Sequence, residues 1–264
     1  MDEDRKIERY EAKYRIPVEL VEPIRQYTLS ICDPDSANQG GRYFISSLYL
    51  DNRERRLYRE TADRVSHRYK LRVRRYLGDK IVFLEIKRRI KGIIVKSRVK
   101  LPFSAWPAVL HHPAQVADLP LSARDRSTVD DFVNRCLLIG AEPAAVVRYE
   151  REAFVSRLDG YARVTFDHRI MGRRPDDWSV PVLDSEGPWI PVDEPRRFDL
   201  PHSGVVLELK ATMAVPMWMT NLVKRFNLTR TGFSKYACCL EAVDPFRLPA
   251  QYRRSAPGLL RSAR

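Results

Sequence analysis

Lys70-Leu71-Arg72-Val73-Arg74 alternates basic and apolar residues at period two. Successive side chains of a strand point to opposite faces, so this segment offers Leu71 and Val73 to a core and three cations to the other side. The pattern recurs in Phe83-Leu84-Glu85-Ile86-Lys87, Lys96-Ser97-Arg98-Val99-Lys100, Val147-Arg148-Tyr149-Glu150, Arg163-Val164-Thr165-Phe166-Asp167 and Leu207-Glu208-Leu209-Lys210. Ordinary exposed sheet faces mix Thr, Ser, Gln, Glu and Lys, whereas here Lys and Arg repeat in neighbouring strands. Like charges opposite one another destabilise a sheet, so such crowding calls for an anion that neutralises it.

Helical stripes set the second constraint. Val18, Leu20, Val21, Ile24, Tyr27 and Leu29 follow Pro17 at helical spacing. Within a helical region over 104–139, Ser122 is placed to cap a stripe of Val129, Phe132, Val133, Cys136 and Leu137. Further helices are predicted over 216–226 and 234–243. All need apolar surface, and the apolar strand faces supply it. Helices outside a closed sheet turn the charged faces inward, where only water or a charged ligand makes them tolerable. The expected fold is α+β, an antiparallel β-tunnel with a charged lumen and helices packed outside.

With 264 residues and 44% hydrophobic content the chain can bury a substantial core, taken as one domain over 1–246. Residues 247–264 carry five Arg and no acid and are expected to form a loose basic tail. Residues 171–203, rich in Pro, Asp and Arg, are expected to form a long loop or irregular hairpin over the barrel. The net charge of +13 implies a polyanionic partner: nucleic acid, anionic membrane or a phosphate-rich compound. No RNA-binding signature accompanies the charge, and no nucleic acid is expected. Cys32, Cys136, Cys238 and Cys239 lack metal-ligand spacing and are expected to be free thiols, and the five His form no zinc pattern. No signal peptide or apolar stretch near 20 residues is found, so a soluble, cytoplasmic protein is expected.

An ordered set of segments resembles the catalytic domain of the vacuolar transporter chaperone (VTC) polyphosphate polymerases, within the triphosphate tunnel metalloenzyme superfamily. It comprises Arg9-Tyr10-Glu11-Ala12-Lys13-Tyr14, Ser47-Leu48-Tyr49-Leu50-Asp51, Arg68-Tyr69-Lys70-Leu71-Arg72-Val73-Arg74, Phe83-Leu84-Glu85-Ile86-Lys87, Arg148-Tyr149-Glu150-Arg151, Arg163-Val164-Thr165-Phe166-Asp167, Val206-Leu207-Glu208-Leu209-Lys210 and Phe233-Ser234-Lys235-Tyr236. The resemblance implies an eight-stranded tunnel around a triphosphate and a divalent metal, Mn²⁺ or Mg²⁺. It also implies transfer of the terminal phosphoryl group of ATP onto inorganic polyphosphate. Hydrolases and cyclases of the superfamily typically begin with Glu-x-Glu-x-Lys; here Arg9 precedes Glu11 and Lys13, which resembles the polymerase branch.

Lys70, Arg72 and Arg74 would span about 13 Å on one strand face, the length of several phosphates. With Lys235 at the start of the last helix, they are the candidate catalytic set. Arg9, Lys13, Lys87, Lys96, Arg98, Arg148, Arg163 and Lys210 are the candidate phosphate contacts, Arg for bidentate recognition and Lys as a mobile charge. The resemblance makes Glu208 the metal ligand, with Glu85, Glu150 and Glu11 in support. For those three, ion pairing that orients Lys and Arg is the alternative. Rivals to the polymerase are a metal-dependent triphosphate or tripolyphosphate hydrolase and a non-catalytic module binding polyphosphate or inositol polyphosphate. The family also leaves room for a membrane-protein partner that exports the polymer.

Overall fold

The computed structural model describes residues 9–36, 41–91, 93–112, 114, 119–181, 188–194, 204–212 and 214–252. The alternating segments form one antiparallel sheet. Its main path comprises β1 (Arg9–Pro17), β3 (Tyr43–Asp51), β4 (His67–Tyr76), β5 (Ile81–Ile90), β6 (Ile93–Pro102), β7 (Glu142–Ser156), β8 (Arg163–Arg173) and β10 (Gly204–Thr212), in the order β1-β10-β8-β7-β3-β4-β5-β6. Two short strands join it, β2 (Cys32–Pro34) on β7 and β9 (Ile190–Pro191) on β8. The eight-strand path is the one expected, but it stays open: β1 and β6 are its two ends, and no backbone ladder joins them among the described residues. Side chains span the seam instead. Lys87 on β5 donates to both carboxylate oxygens of Glu11 on β1, at 2.8 Å each. The outer edge of β1 takes a bridge between Tyr14 and Arg230 and a hydrogen bond from the Thr231 amide to the Lys13 carbonyl, 2.9 Å.

Two apolar cores lie on the face opposite the strand charges. In the first, Leu71, Val73, Leu84, Ile86 and Val99 meet Val129, Phe132 and Cys136 of α4 (Ala123–Ile139). Ser122 caps that helix by accepting from the Asp125 amide, and Gly140 ends it with φ +59°, a conformation that only glycine adopts without strain. The one-turn α3 (Ala108–His111) packs beside it. In the second core, Ala12, Tyr14, Val164, Phe166, Leu207 and Leu209 are covered by α1 (Val21–Leu29) and α5 (Met217–Arg225).

The third core reverses the face. Ile45, Tyr49, Ala145, Val147, Tyr149, Ile170 and Val206 meet Tyr236, Ala237, Cys239 and Leu240 of α6 (Lys235–Val243). The positions on β3, β7 and β10 share the parity of the lumen charges, and a register shift in the β7–β8 ladder brings Ile170 to the same face, so α6 lies on the concave side of the sheet, the exception to helices packed outside. The approach is close: a Cβ on Gly172 of β8 would stand 2.9 Å from the Cys239 Cβ. The remaining helix, α2 (Arg56–Ala62), anchors α6. Buried Asp51 accepts from the Leu57 and Tyr58 amides, each at 2.9 Å, and from the Tyr236 hydroxyl at 2.6 Å.

Packing continues past residue 246, with Leu248 buried and the Tyr252 hydroxyl bonded to Asp63; the rest of the expected tail, 253–264, lies outside the described residues. Of 171–203, β9 extends β8 and Trp178 packs on Trp106, while 182–187 and 195–203 lie outside them. The four cysteines are free thiols. No described helix is long and apolar enough to cross a membrane.

Candidate functional site

The curled sheet and α6 enclose a cavity of about 1440 Å³. Among the described residues its lining carries seventeen Lys and Arg against four Asp and Glu, so the cavity is strongly cationic. Strand parity brings most of the expected residues together: Lys13, Lys70, Arg72, Arg74, Lys87, Lys96, Arg98, Lys210, Lys235, Glu11 and Glu208 all line it, with Arg163 at the rim. The side chain of Arg9 lies outside the described residues.

Arg148 and Glu150 do not face the cavity. On β7 the inward set is Ala145, Val147, Tyr149 and Arg151, because α6 needs an apolar platform there. Arg148 therefore points out, its guanidinium 4.3 Å from the centre of the Trp189 ring, and Glu150 pairs with Arg42 and Arg169. Both expectations are corrected: neither side chain lines the cavity, and the basic residue that β7 turns inward is Arg151. Asp167 of β8 lies beside Arg151 on the inner face, a pair that the motifs contain without marking. Arg151 grips it with two bonds, Nε to Oδ1 at 2.6 Å and Nη2 to Oδ2 at 2.8 Å, and Lys235 completes the buried pair. Alternation alone put Asp167 on the Arg163 face; finding Arg151 required knowing which face of β7 is inner.

Two clusters of charge divide the lumen. On β4, β5 and β6, Glu85 is fully buried beneath four cations: Arg72 Nη2 at 2.5 Å and Arg74 Nε at 3.9 Å from one oxygen, Lys96 Nζ at 2.6 Å and Arg98 Nε at 3.3 Å from the other. Burial would raise its pKa, but Arg72, Arg74 and Lys96 hold it well below the usual carboxylate range. Both of its oxygens are ion-paired. Arg72 also donates to the Tyr49 hydroxyl at 2.9 Å, and Tyr49 stacks on Tyr236 of α6 at 4.9 Å.

The second cluster spans β1, β10 and β8. Glu208 lies 3.1 Å from Lys210, 3.5 Å from Arg151 and 3.8 Å from Lys13, and Glu11 lies 3.3 Å from Lys13. Against burial, Lys210, Lys13 and Arg151 hold Glu208 well below its ordinary pKa. Glu208 and Glu11 raise Lys13.

Lys70 differs from both clusters. Its ammonium donates to the Ser234 hydroxyl at 2.9 Å, and no carboxylate of the described residues lies within salt-bridge range. Burial, and then Lys13, Lys87, Arg68 and Arg72, push its pKa well below the ordinary value. Burial also lowers Lys87 to about 8 and Lys96 to about 7, although each has a carboxylate partner. Phe233, Ser234 and Lys235 meet Lys13 on β1, Lys70 on β4 and Asp167 on β8. Those strands stand apart in the sheet, so the start of α6 crosses the lumen.

A family model, the VTC domain, matches residues 8–243. The chain belongs to the VTC domain family. The match spans every lumen strand, so the VTC domain includes the whole candidate site, and membership makes the chain a tunnel protein of the kind that handles triphosphate and polyphosphate. No curated protein sequence matches it. Solved structures similar to it include HpAC1 from Hippeastrum, a proposed adenylyl cyclase described with a dominant triphosphatase activity, at 15% identity and TM-score 0.48, covering 90% of this chain and 97% of that one. A proposed adenylate cyclase from Bacillus halodurans is 11% identical with TM-score 0.48, covering 86% and 94%. The PH1819 protein from Pyrococcus horikoshii is 12% identical with TM-score 0.44, covering 88% and 96%.

The donor set of the second cluster suits a hard divalent ion. Glu208 and Glu11 offer oxygen only, as Mg²⁺ and Mn²⁺ prefer, and Glu208, with Lys210 at 3.1 Å, is less tightly paired than Glu11, which accepts from Lys87 at 2.8 Å with both oxygens. Among the described residues no three His, Cys, Asp or Glu gather as a metal cage. One or two carboxylates with substrate oxygens completing the shell is the usual arrangement for such an ion on phosphate substrates.

Proposed function

We propose that this VTC domain is an ATP-dependent polyphosphate polymerase, transferring the terminal phosphoryl group of ATP to the end of an inorganic polyphosphate chain held in the cavity. The observation that carries the reading is Lys70, a buried amine among cations with no carboxylate in salt-bridge range among the described residues. An amine whose charged form is disfavoured until an anion arrives suits an anionic ligand. The cavity volume of about 1440 Å³ also exceeds the roughly 300–1,000 Å³ typical of small-molecule pockets, leaving room for a triphosphate and a chain together.

In this reading Arg72 and Arg74 present guanidinium forks to phosphate oxygens, while Lys70, Lys87 and Lys96 follow the chain as mobile charges. An oxygen of the chain-end phosphate forms the new bond to the terminal phosphorus as the bond to the bridging oxygen breaks, and ADP leaves. Phosphoryl transfer depends on positioning and charge stabilisation, so no side-chain nucleophile is needed. Arg151, held by Asp167, and Lys235 at the start of α6 are oriented to receive the charge of the transferred group. A divalent cation held by Glu208, with Glu11 beside it, would neutralise phosphate oxygens. The same reading puts synthesis in the cytoplasm, beside any membrane partner that exports the polymer.

The test is purified protein with ATP and Mn²⁺ or Mg²⁺, products resolved by length on a gel stained for polyphosphate. Chains that lengthen with time support the polymerase. Free phosphate without chains moves the assignment to the hydrolase, and tight polyphosphate binding without turnover moves it to the binding module.

A further inference from the structure

The register of β4, β5 and β6 sets like charges directly opposite one another in two successive rows. Lys70 pairs with Lys87, and Lys87 with Lys96; one step outward, Arg68 pairs with Arg89. Two strand positions separate the rows, about 7 Å. Like charges in directly opposed positions are destabilising, so each row costs stability unless an anion sits between its members. The first row belongs to the lumen already described. The second lies at the mouth, and the same continuous cavity reaches it.

Arg64 and Lys91 flank this outer row and also line the cavity. The Lys91 amide donates to the Ser66 carbonyl at 3.2 Å, which fastens the turn between β5 and β6 to the segment entering β4 and makes one rim of the two. None of Arg64, Arg68, Arg89 and Lys91 has a carboxylate in salt-bridge range among the described residues. Burial, and then the nearby Arg89 and Arg64, pull Arg68 below its ordinary pKa, in keeping with a cation cluster without a counter-ion. The lumen clusters contrast with it, for each contains buried carboxylates.

We propose that Arg64, Arg68, Arg89 and Lys91 form an outer anion subsite that takes the phosphates of a chain extending beyond the lumen, so that the protein holds long inorganic polyphosphate more tightly than tripolyphosphate. This rests on the polyphosphate reading above. A triphosphate seated at Arg72 and Arg74 leaves the rim unoccupied, whereas a chain passing the Lys70 and Lys87 row meets it. The rim then sets chain-length preference without touching the reacting group.

Calorimetric titration with tripolyphosphate and with long-chain polyphosphate tests this in the wild type, in Arg68→Gln/Arg89→Gln and in Arg64→Gln/Lys91→Gln. Loss of these charge-assisted contacts should lower long-chain affinity about tenfold in the Arg68 and Arg89 variant. Tripolyphosphate affinity should stay within about twofold, and the salt dependence of long-chain binding should flatten. Equal weakening of both ligands, or of neither, overturns the outer subsite while leaving the polyphosphate reading in place. A wild type that binds neither phosphate ligand overturns the polyphosphate reading and the subsite with it. Weakened binding of a single-stranded RNA oligomer with polyphosphate binding unchanged also overturns the proposal. All four side chains are on the rim rather than in a core, and an unchanged melting temperature confirms that the variants fold.

Discussion

The wall made by β4, β5 and β6 and the wall made by β1, β10 and β8 use the same alternation to different ends. The first presents Lys70, Arg72, Arg74, Lys87, Lys96 and Arg98 around a single carboxylate, Glu85, which is sealed from solvent. The second interleaves Glu11, Asp167 and Glu208 with Lys13 and Lys210, and Arg151 of the adjoining β7 reaches Asp167 and Glu208. Charge surplus on one side and charge balance on the other separate two tasks, gripping a polyanion and arranging the oxygens where an ion and a reacting phosphate meet. Glu85 can then be understood as the internal counter-ion that lets a cationic wall fold before any ligand arrives.

That contrast is broken most severely at Glu85. Glu85→Ala leaves four cations facing one another, and removing one partner from a buried ion pair costs about 3–5 kcal/mol. The melting temperature should fall accordingly, and tripolyphosphate should restore more of it in the variant than it adds to the wild type. An equal ligand-induced shift in both proteins would show that Glu85 is not the stand-in for an anion.

Glu208→Gln attacks the other wall. Turnover with ATP and Mn²⁺ should drop roughly 10²–10³-fold, the scale of losing one preorganised electrostatic contact to a transition state. Polyphosphate affinity should change little, because the basic wall is intact. Turnover that survives the substitution would remove Glu208 from the metal-binding role.

The lysines of the basic wall make its affinity depend on pH. Without ligand, burial holds Lys87 near 8 and Lys96 near 7, and a bound polyanion favours their charged forms. Binding therefore takes up protons, and affinity should fall, on the order of tenfold, as pH rises from about 7 to about 9. Calorimetry in buffers of different ionisation enthalpy measures that uptake directly. The sign for folding is the reverse. The unfolded chain, with lysines near 10.5, binds more protons across this window than the ligand-free folded state. These lysines therefore make ligand-free stability rise with pH. Proton release on binding would contradict both.

Most of the fold was legible because alternation at period two and helical stripes are local signals. Lys70, Arg72, Arg74, Lys87, Lys96, Arg98 and Glu208 came out on the expected face for that reason. The open seam between β1 and β6 was not legible, since closure depends on curvature and on long-range bridges such as Lys87 to Glu11. The inner face of β7 is hidden from the sequence for a related cause. Val147-Arg148-Tyr149-Glu150 has a charged and an apolar face like its neighbours, but α6 occupies the lumen beside it and reverses which one turns inward. The short α2, seven residues between two strands, has too little periodicity to stand out.

The smallest expected effect tests that reversal. Arg148 and Arg151 are three residues apart on β7, one outside against Trp189 and the other inside on Asp167 and Glu208. Arg148→Ala should leave polyphosphate affinity within about twofold and cost about 1 kcal/mol or less, the scale of a partly exposed cation–π contact. Arg151→Ala should weaken binding about tenfold or more and free the Asp167 carboxylate from its two guanidinium bonds. Side-by-side titration of the two variants decides which face of β7 belongs to the ligand. Equal losses would mean that the strand presents both arginines to one surface, which its pleat forbids.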